Sequence, residues 1–386
     1  MSDAVPLAIF FGCGLLLAHA YVVFPATMLW LGSRRALPDR EPPQATGDMP
    51  QVAVVVAAFN EEAHIAERIR NLLEQDYPRD RLRVLVGSDG SGDRTVAEAL
   101  RLADERVEVS DFPVNRGKAS VLNDLVAHAR AEVIVFTDAN TEFAPDAVRR
   151  LVAALDADTA AVCGELVLQR ARRGDNEDHR YWSMERRLKS AESRFGALLG
   201  ANGGVYAIRK DAFRPILPDT ICDDFVIAMN VATAGKGLRY VPSAVAFEET
   251  HGDMVTEYHR RVRIGIGNYQ ALFRHPRYLL AGSWMRRYAY VSHKVLRWFT
   301  PQLLLAVLVA SLLLSHHPIF AALAVLQVAG YAFAVAAFTL RGRVAWPGPV
   351  NGALLFAVLN VAFLVAFKRF LWGDFRGSWR RTERGA

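Results

Sequence analysis

Charge is missing from one long stretch near the start of this chain: no Asp, Glu, Lys or Arg lies between Pro6 and Leu31. About 20 apolar residues suffice to cross a bilayer, so a water-exposed helix is excluded here. A cleaved signal peptide would carry positive charge before its apolar run. Met1–Pro6 has none, and Arg34-Arg35 follows the run instead. The expectation is a retained anchor over residues 1–36, with the N-terminus outside and the chain after Gly32 cytoplasmic. Cysteine is scarce as well, at three in 386 residues. Cys13 lies in the anchor, and Cys163 and Cys222 lie mid-chain without metal-site spacing. An odd, sparse set excludes a disulfide scaffold and fits a reducing compartment. Two glycine signatures are also absent. No G-x-G-x-x-G follows the first strand, which argues against a dinucleotide fold, and no G-x-x-x-x-G-K-[ST] marks a P-loop.

What is present is greasy and basic. Apolar residues make up 52%, mean hydropathy is +0.12, net charge is +6 and the pI is about 9.3. The apolar excess sits at the two ends, and Arg and Lys cluster beside it. That pattern fits an anionic membrane surface better than nucleic acid, which is not an expected partner.

The proline-rich residues 37–50 read as a linker. Strand candidates then follow at Gln51–Ala58, Leu82–Ser88, Arg106–Ser110, Glu132–Thr137, Ala160–Leu168 and Gly204–Arg209, with Leu238–Glu249 extended. Helix candidates fall at 61–75, 93–104, 117–130, 178–195 and Asp224–Ala234. Short apolar strands alternating with helices predict an α/β domain over 51–275, with a doubly wound, mostly parallel sheet. From 283 to 300 an amphipathic helix is expected in the membrane interface. Trp284, Tyr288, Val291, Val295 and Phe299 share one face, and Arg286, Arg287, His293, Lys294 and Arg297 lie away from it.

Apolar segments at 301–315, 319–340 and 349–367 make residues 301–371 a C-terminal membrane region of two to three helices, with His316-His317-Pro318 as a tight turn. Residues 372–386 are a basic tail. Three crossings from a cytoplasmic start would leave that tail outside, whereas Lys368, Arg369, Arg376, Arg380, Arg381 and Arg384 favour inside. Segment 301–315, short for a span, is therefore expected to be re-entrant or interfacial.

The polar loops that end the strands carry the chemistry. Open α/β sheets bind ligands at the carboxyl ends of their strands. The first strand runs into Phe59-Asn60-Glu61-Glu62, the second into Ser88-Asp89-Gly90-Ser91, and the fourth into Thr137-Asp138-Ala139-Asn140. Asp138 and Asn140 offer oxygen ligands of the kind a hard divalent cation takes when it holds phosphates. Asp89 can accept from a base N–H or a ribose hydroxyl. Asn115-Arg116-Gly117-Lys118 opens a helix with a lysine, which opposes the helix dipole unless an anion sits there. Simpler roles stay open: Glu61 and Glu62 as first-turn acids, Asp93 and Asp224 as helix caps.

Four runs, Val56-Ala57-Ala58-Phe59-Asn60-Glu61-Glu62, Ser88-Asp89-Gly90-Ser91, Asn115-Arg116-Gly117-Lys118-Ala119 and Thr137-Asp138-Ala139-Asn140-Thr141, together resemble family 2 glycosyltransferases. The likeness is nearest to membrane-embedded bacterial exopolysaccharide synthases of the cellulose, hyaluronan and poly-N-acetylglucosamine type. It covers about residues 51–270. It implies a GT-A fold with one N-terminal and two to three C-terminal transmembrane helices, in the bacterial inner membrane, with the catalytic domain cytoplasmic.

By that resemblance, Phe59, Glu61, Asp89, Lys118, Asp138 and Arg263 bind a nucleotide-sugar donor, expected to be a UDP-sugar. Asp138 and Asn140 stand as the D-x-D that holds Mg2+ or Mn2+, with Asn140 where the family usually has a second Asp. Asp224, in Cys222-Asp223-Asp224, matches the general base. Gly203, Gly204 and Trp182 line the acceptor side. Arg260-Arg261-Val262-Arg263-Ile264 occupies the place of Q-x-x-R-W and keeps only its arginine, Arg263. The function implied is inverting transfer of a sugar to a growing polysaccharide, beside membrane lipids and with synthase or export subunits as candidate partners. Single transfer to a lipid-linked acceptor and an inactive nucleotide-binding scaffold are the alternatives.

Overall fold

A computed structural model describes residues 3–35, 49–102, 104–170, 176–250 and 254–375 apart from Gly342, Ala345 and Asp374. For residues 169–170, 176–182, Thr250 and Met254 it describes the backbone alone. Most of the linker and the basic tail beyond Phe375 lie outside the described residues.

Eight strands form one sheet: β1 (Val52–Ala58), β2 (Leu82–Asp89), β3 (Val107–Phe112), β4 (Val133–Asp138), β5 (Thr141–Phe143), β6 (Thr159–Arg170), β7 (Tyr206–Arg209) and β8 (Gly237–Thr250). Their order is β3-β2-β1-β4-β7-β6-β8-β5. The β3-β2-β1-β4 half is wholly parallel. Beyond it β7 runs antiparallel to both neighbours, β6 and β8 are parallel, and β5 is antiparallel to β8. The sheet is therefore mixed. The seven strand segments expected from the sequence are all present. The short β5 carries too few residues for a periodic signal.

The parallel half explains its own sequence. All seven residues of β1 are buried, because helices cover both faces, so the apolar run is unbroken rather than alternating. The helices of the α/β unit are α2 (Ile65–Leu73), α3 (Thr95–Leu100), α4 (Lys118–His128), α5 (Ala147–Ala153), α6 (Asn176–Arg194), α7 (Asp223–Thr233) and α8 (Met254–Arg274). They follow α1, the 30-residue helix Ala4–Ser33 at the N-terminus. Val52, Val54 and Val56 face the core under α2 and α5, while Ala53, Val55 and Ala57 face α4 and α7.

The apolar ends form α9 (Trp284–Trp298), α10 (Thr300–Leu313), α11 (Pro318–Thr339) and α12 (Gly348–Leu371). Helices α1, α11 and α12 are each long and apolar enough to cross a membrane; α9 and α10 meet at 64° and add a fourth candidate if counted as one broken span. At 14 residues α10 is short. It runs beside α1, with Thr300 bonded to Tyr21 at 3.0 Å and the turn after it bonded to Asp3.

Arg286, His293 and Arg297 of α9 face inward and dock on the α/β unit, whereas Arg287 is exposed. Arg286 donates to the carbonyls of Ala232 and Gly196. His293, 3% exposed, lies between Glu185 and Glu192 of α6. Arg297 donates to Glu185. Trp284 is 65% exposed. The amphipathic pattern is thus satisfied by protein carboxylates on its polar side and leaves Trp284 and Val291 on the outside.

One close approach joins α1 to this unit. A Cβ on Gly32 would lie 2.6 Å from Ala191 Cβ, so α1 and α6 cross at a point only glycine permits. Gly32→Leu is expected to destabilise the folded chain by ~1–3 kcal/mol, as overpacking does. A lowered melting temperature in detergent, followed by intrinsic fluorescence, checks it.

Candidate active site

Strand β4 ends at Asp138, and the neighbouring strand β1 places Ala57 beside it in register. The polar loops after β1 and β2 therefore open at the same edge. They are tied to each other. Asn60, at φ 56°, donates its N–H to Ser91 Oγ, and its side chain accepts from Gly92 N. Glu61 N donates to Thr95 Oγ1, and Asp93 accepts the N–H groups of Glu62 and Thr95. Asp93 thus joins two loops as well as opening a helix. Glu61 directs its carboxylate to His64, 3.1 Å away.

Asp89 is fully buried. Its two oxygens accept the backbone N–H groups of Arg116 and Gly117, each at 2.8 Å. Gly117, at φ +91°, makes the turn that only glycine takes comfortably. This clamp sets the start of α4 and so the position of Lys118. Two backbone amides therefore occupy Asp89.

Lys118 answers the question its place raised. Its Nζ lies 2.8 Å from Asp138 Oδ1 and 3.3 Å from Asp223 Oδ2. Burial disfavours the ammonium, but Asp138 and Asp223 overcome that and raise its pKa. Burial likewise opposes the charged form of Asp138, yet Lys118, then Arg263 and Arg68, hold the carboxyl below its usual range. Arg263 is thus within electrostatic reach of Asp138. It is exposed and makes no ion pair among the described residues.

Asp224 completes the group. A Cβ built on Gly203 would sit 3.2 Å from Asp224 Oδ2 and 3.7 Å from Asp138 Oδ2. The two carboxylates face each other across a residue without a side chain. Burial first, then the neighbouring Asp223, pushes Asp224 up to about 6. The segment bearing Gly203 is held by Asn202, which donates to the Gly164 carbonyl and accepts from Lys189 of α6 at 2.5 Å. Gly204 is explained by packing, since a Cβ there would crowd Thr141 Oγ1 at 2.9 Å.

Not every expected residue joins in. Asn140 donates its amide to Glu248 across β5 and β8 at 3.3 Å. Only the backbone of Trp182 is described. Three participants carried no signal in the sequence. Asp223, expected only as a neighbouring charge, is the second partner of Lys118. Arg68 is buried in α2, where a charge is unexpected, and donates to Thr137 Oγ1 at 2.7 Å. Tyr206 stacks on Phe136 at 4.5 Å, and its hydroxyl is buried without a partner among the described residues. Asp223 and Asp224 are among the charges that hold it un-ionised, after burial itself.

A cation already bridges Asp138 and Asp223 here, and hard divalent ions take such carboxylate oxygens. Asp138 thus offers carboxylate oxygens of the kind that Mg2+ or Mn2+ takes.

The model of glycosyl transferase family 2 matches residues 53–217, which include the loops after β1, β2 and β4. Over this stretch the chain is similar to family 2 glycosyltransferases. Asp223, Asp224 and Arg263 lie beyond the match. An N-acetylglucosaminyltransferase of Rhizobium leguminosarum bv. viciae is 29% identical over 222 residues, which is 52% of this chain and 51% of the relative. A beta-monoglucosyldiacylglycerol synthase of Synechocystis is 25% identical over 316 residues, covering 76% of this chain and 65% of that protein. The chain thus spans about half to two thirds of these relatives. A solved mannosyltransferase from Pyrobaculum calidifontis, in complex with GDP-Man and Mn2+, superposes with a TM-score of 0.71 over 96% of this chain and 98% of that one, at 22% identity. The α/β unit therefore has the GT-A type of fold.

The space at Gly203 gives a direct test. Gly203→Ala places a methyl group against both carboxylates and is expected to lower sugar transfer by about 10- to 100-fold, as small displacements of reacting groups do. Initial rates beside an unchanged melting temperature check it.

Proposed function

We propose that this protein is an inverting glycosyltransferase that moves a sugar from a nucleotide-diphosphate sugar to an acceptor hydroxyl at the cytoplasmic face of a bacterial inner membrane. The acceptor proposed first is a growing polysaccharide. The observation that carries the reading is the pair Asp138 and Asp224 facing each other across Gly203, with Lys118 beside them.

Asp138, with Asn140 near it in the chain, would hold Mg2+ or Mn2+; such an ion supplies charge neutralisation on the diphosphate. Lys118 and Arg263 bring positive charge to the same place, where the leaving group gains its electron pair. Arginine can grip a phosphate by two parallel hydrogen bonds. Phe59 and the Asp89-clamped loops lie at the same sheet edge for the nucleoside.

Asp224 takes the proton of the acceptor hydroxyl as that oxygen bonds to the anomeric carbon. The bond from that carbon to the diphosphate breaks, and its electrons leave with the phosphate. One displacement without a covalent enzyme intermediate inverts the centre, so an α-linked donor gives a β-linked product. A base with a pKa near 6 is well matched to this step at neutral pH.

A lipid-linked acceptor is the second reading. The alignment with the diacylglycerol glucosyl synthase supports it, because that match extends over 76% of this chain and so beyond the catalytic domain. Product length separates the two. Membranes carrying the protein are incubated with radiolabelled UDP-sugars and GDP-mannose, and the products are sized. Long chains support the first reading, a single-sugar glycolipid supports the second, and no transfer from any nucleotide sugar overturns both.

Two further outcomes follow from the base. Asp224→Asn is expected to reduce transfer by at least ~100-fold, the lower end of what general-base catalysis gives, while nucleotide binding persists. The carboxylate is the active form, so the rate should rise with pH through about 6 and then level off. Asp223→Asn removes a like charge and should shift that midpoint downward. A pH–rate profile of kcat for each protein checks the sign.

A further inference from the structure

The turn His316-His317-Pro318 has no part in the reading above, yet it is not an idle loop. His316 Nε2 and His317 Nε2 each lie 3.0 Å from the same oxygen, Asp3 Oδ2. Asp3 precedes α1, and the two histidines join α10 to α11, so the three come from segments more than 300 residues apart. The three ligand atoms all lie within 4.8 Å of one another. Among the described residues this is the only group of three or more His, Cys, Asp or Glu side chains so arranged.

We propose that Asp3, His316 and His317 form a binding site for Zn2+ or a similar borderline divalent ion, remote from the nucleotide site. Zinc takes imidazole nitrogen and carboxylate oxygen at roughly 2.0–2.2 Å in a tetrahedron, which sets its ligand atoms roughly 3.3–3.5 Å apart. The two nitrogen–oxygen separations of 3.0 Å need only a few tenths of an ångström of spreading to admit the ion. Three protein ligands leave a fourth position for water. The side chains are between 35% and 54% exposed, so an ion can reach them from solvent.

Ligand chemistry separates this site from the first. Imidazoles favour Zn2+, Co2+, Ni2+ or Cu2+, whereas the carboxylate and amide oxygens near Asp138 suit Mg2+ or Mn2+. Position separates them too. At 1.5 Å per residue the 30 residues of α1 put Asp3 about 45 Å from Ser33, and it is the Ser33 end that meets α6 through Gly32 and Ala191. Phe10 packs edge-on against Phe320 at 5.0 Å, which already holds α1 to α11 just below the triad. The ion would staple the first helix to the α10–α11 turn at the far end of the apolar bundle.

The full chain, purified in detergent without a polyhistidine tag and stripped with chelator, is titrated with Co2+ and with Zn2+. The expected result is one ion per chain, a visible Co2+ absorption of tetrahedral type, and a melting temperature raised by Zn2+. His316→Gln/His317→Gln keeps hydrogen-bond donors beside Asp3 but removes the imidazoles. It should weaken binding by at least the ~10-fold that loss of even an outer-shell partner causes, and abolish the thermal shift. Mn2+-nucleotide binding at the other site reports that the variant is folded. Unchanged Zn2+ affinity in the double variant, or no Zn2+ uptake by the folded wild-type chain, overturns the proposal and leaves a hydrogen-bonded contact only.

Discussion

A single ammonium group holds the catalytic end of this sheet together. Asp138, Asp223 and Asp224 are drawn to one place by two separate elements, the end of β4 and the start of α7, with Gly203 between them. Like charges so close would repel each other. Lys118 sits against two of them, and its own position is fixed by the Asp89 carboxylate, which grips the turn ahead of α4 through two backbone amides. The buried Asp89 therefore governs the site through the backbone. One carboxylate shapes a loop, the loop delivers a cation, and the cation permits the others.

The same residues explain why two aspartates side by side behave differently. Asp223 pairs with Lys118. Asp224 is without an ion pair among the described residues and accepts only the N–H of Phe225, so burial and its neighbour raise it to about 6. A carboxyl raised in this way suits acid–base chemistry at neutral pH. Helix α6 extends this control outward. Lys189 reaches Asn202 beside Gly203, while Glu185 and Glu192, about a turn to either side of it, hold His293 of α9. A shift of α9 against the apolar helices would be felt at the Gly203 segment through this helix.

Much of this was legible in the chain. The parallel strands could be read because burial on both faces leaves unbroken apolar runs, as in Val52–Ala58. The loops at their ends could be read because polar groups there have few structural reasons to be charged and apolar-flanked at once. Lys118 at a helix start was the clearest case, since the dipole opposes it. Other features were out of reach for physical reasons. β5 is three residues long. Arg68 sits on the buried face of an amphipathic helix, where Thr137, Asn71 and the charge of Asp138 meet it. The mixed second half of the sheet depends on how strands pair across long connections, which no local pattern records. The basic side of α9 was readable as a stripe, but its partners Glu185 and Glu192 lie about a hundred residues away.

The central claim is that Asp138 anchors a cation-bound diphosphate while Asp224 acts on the acceptor alone. Electron paramagnetic resonance of Mn2+, titrated with UDP and with GDP, tests this division directly. Asp138→Ala should weaken binding of the Mn2+-nucleotide by more than about tenfold, and Asp224→Asn should leave it close to wild type. Equal binding in Asp138→Ala, or loss of binding in Asp224→Asn, would contradict the account.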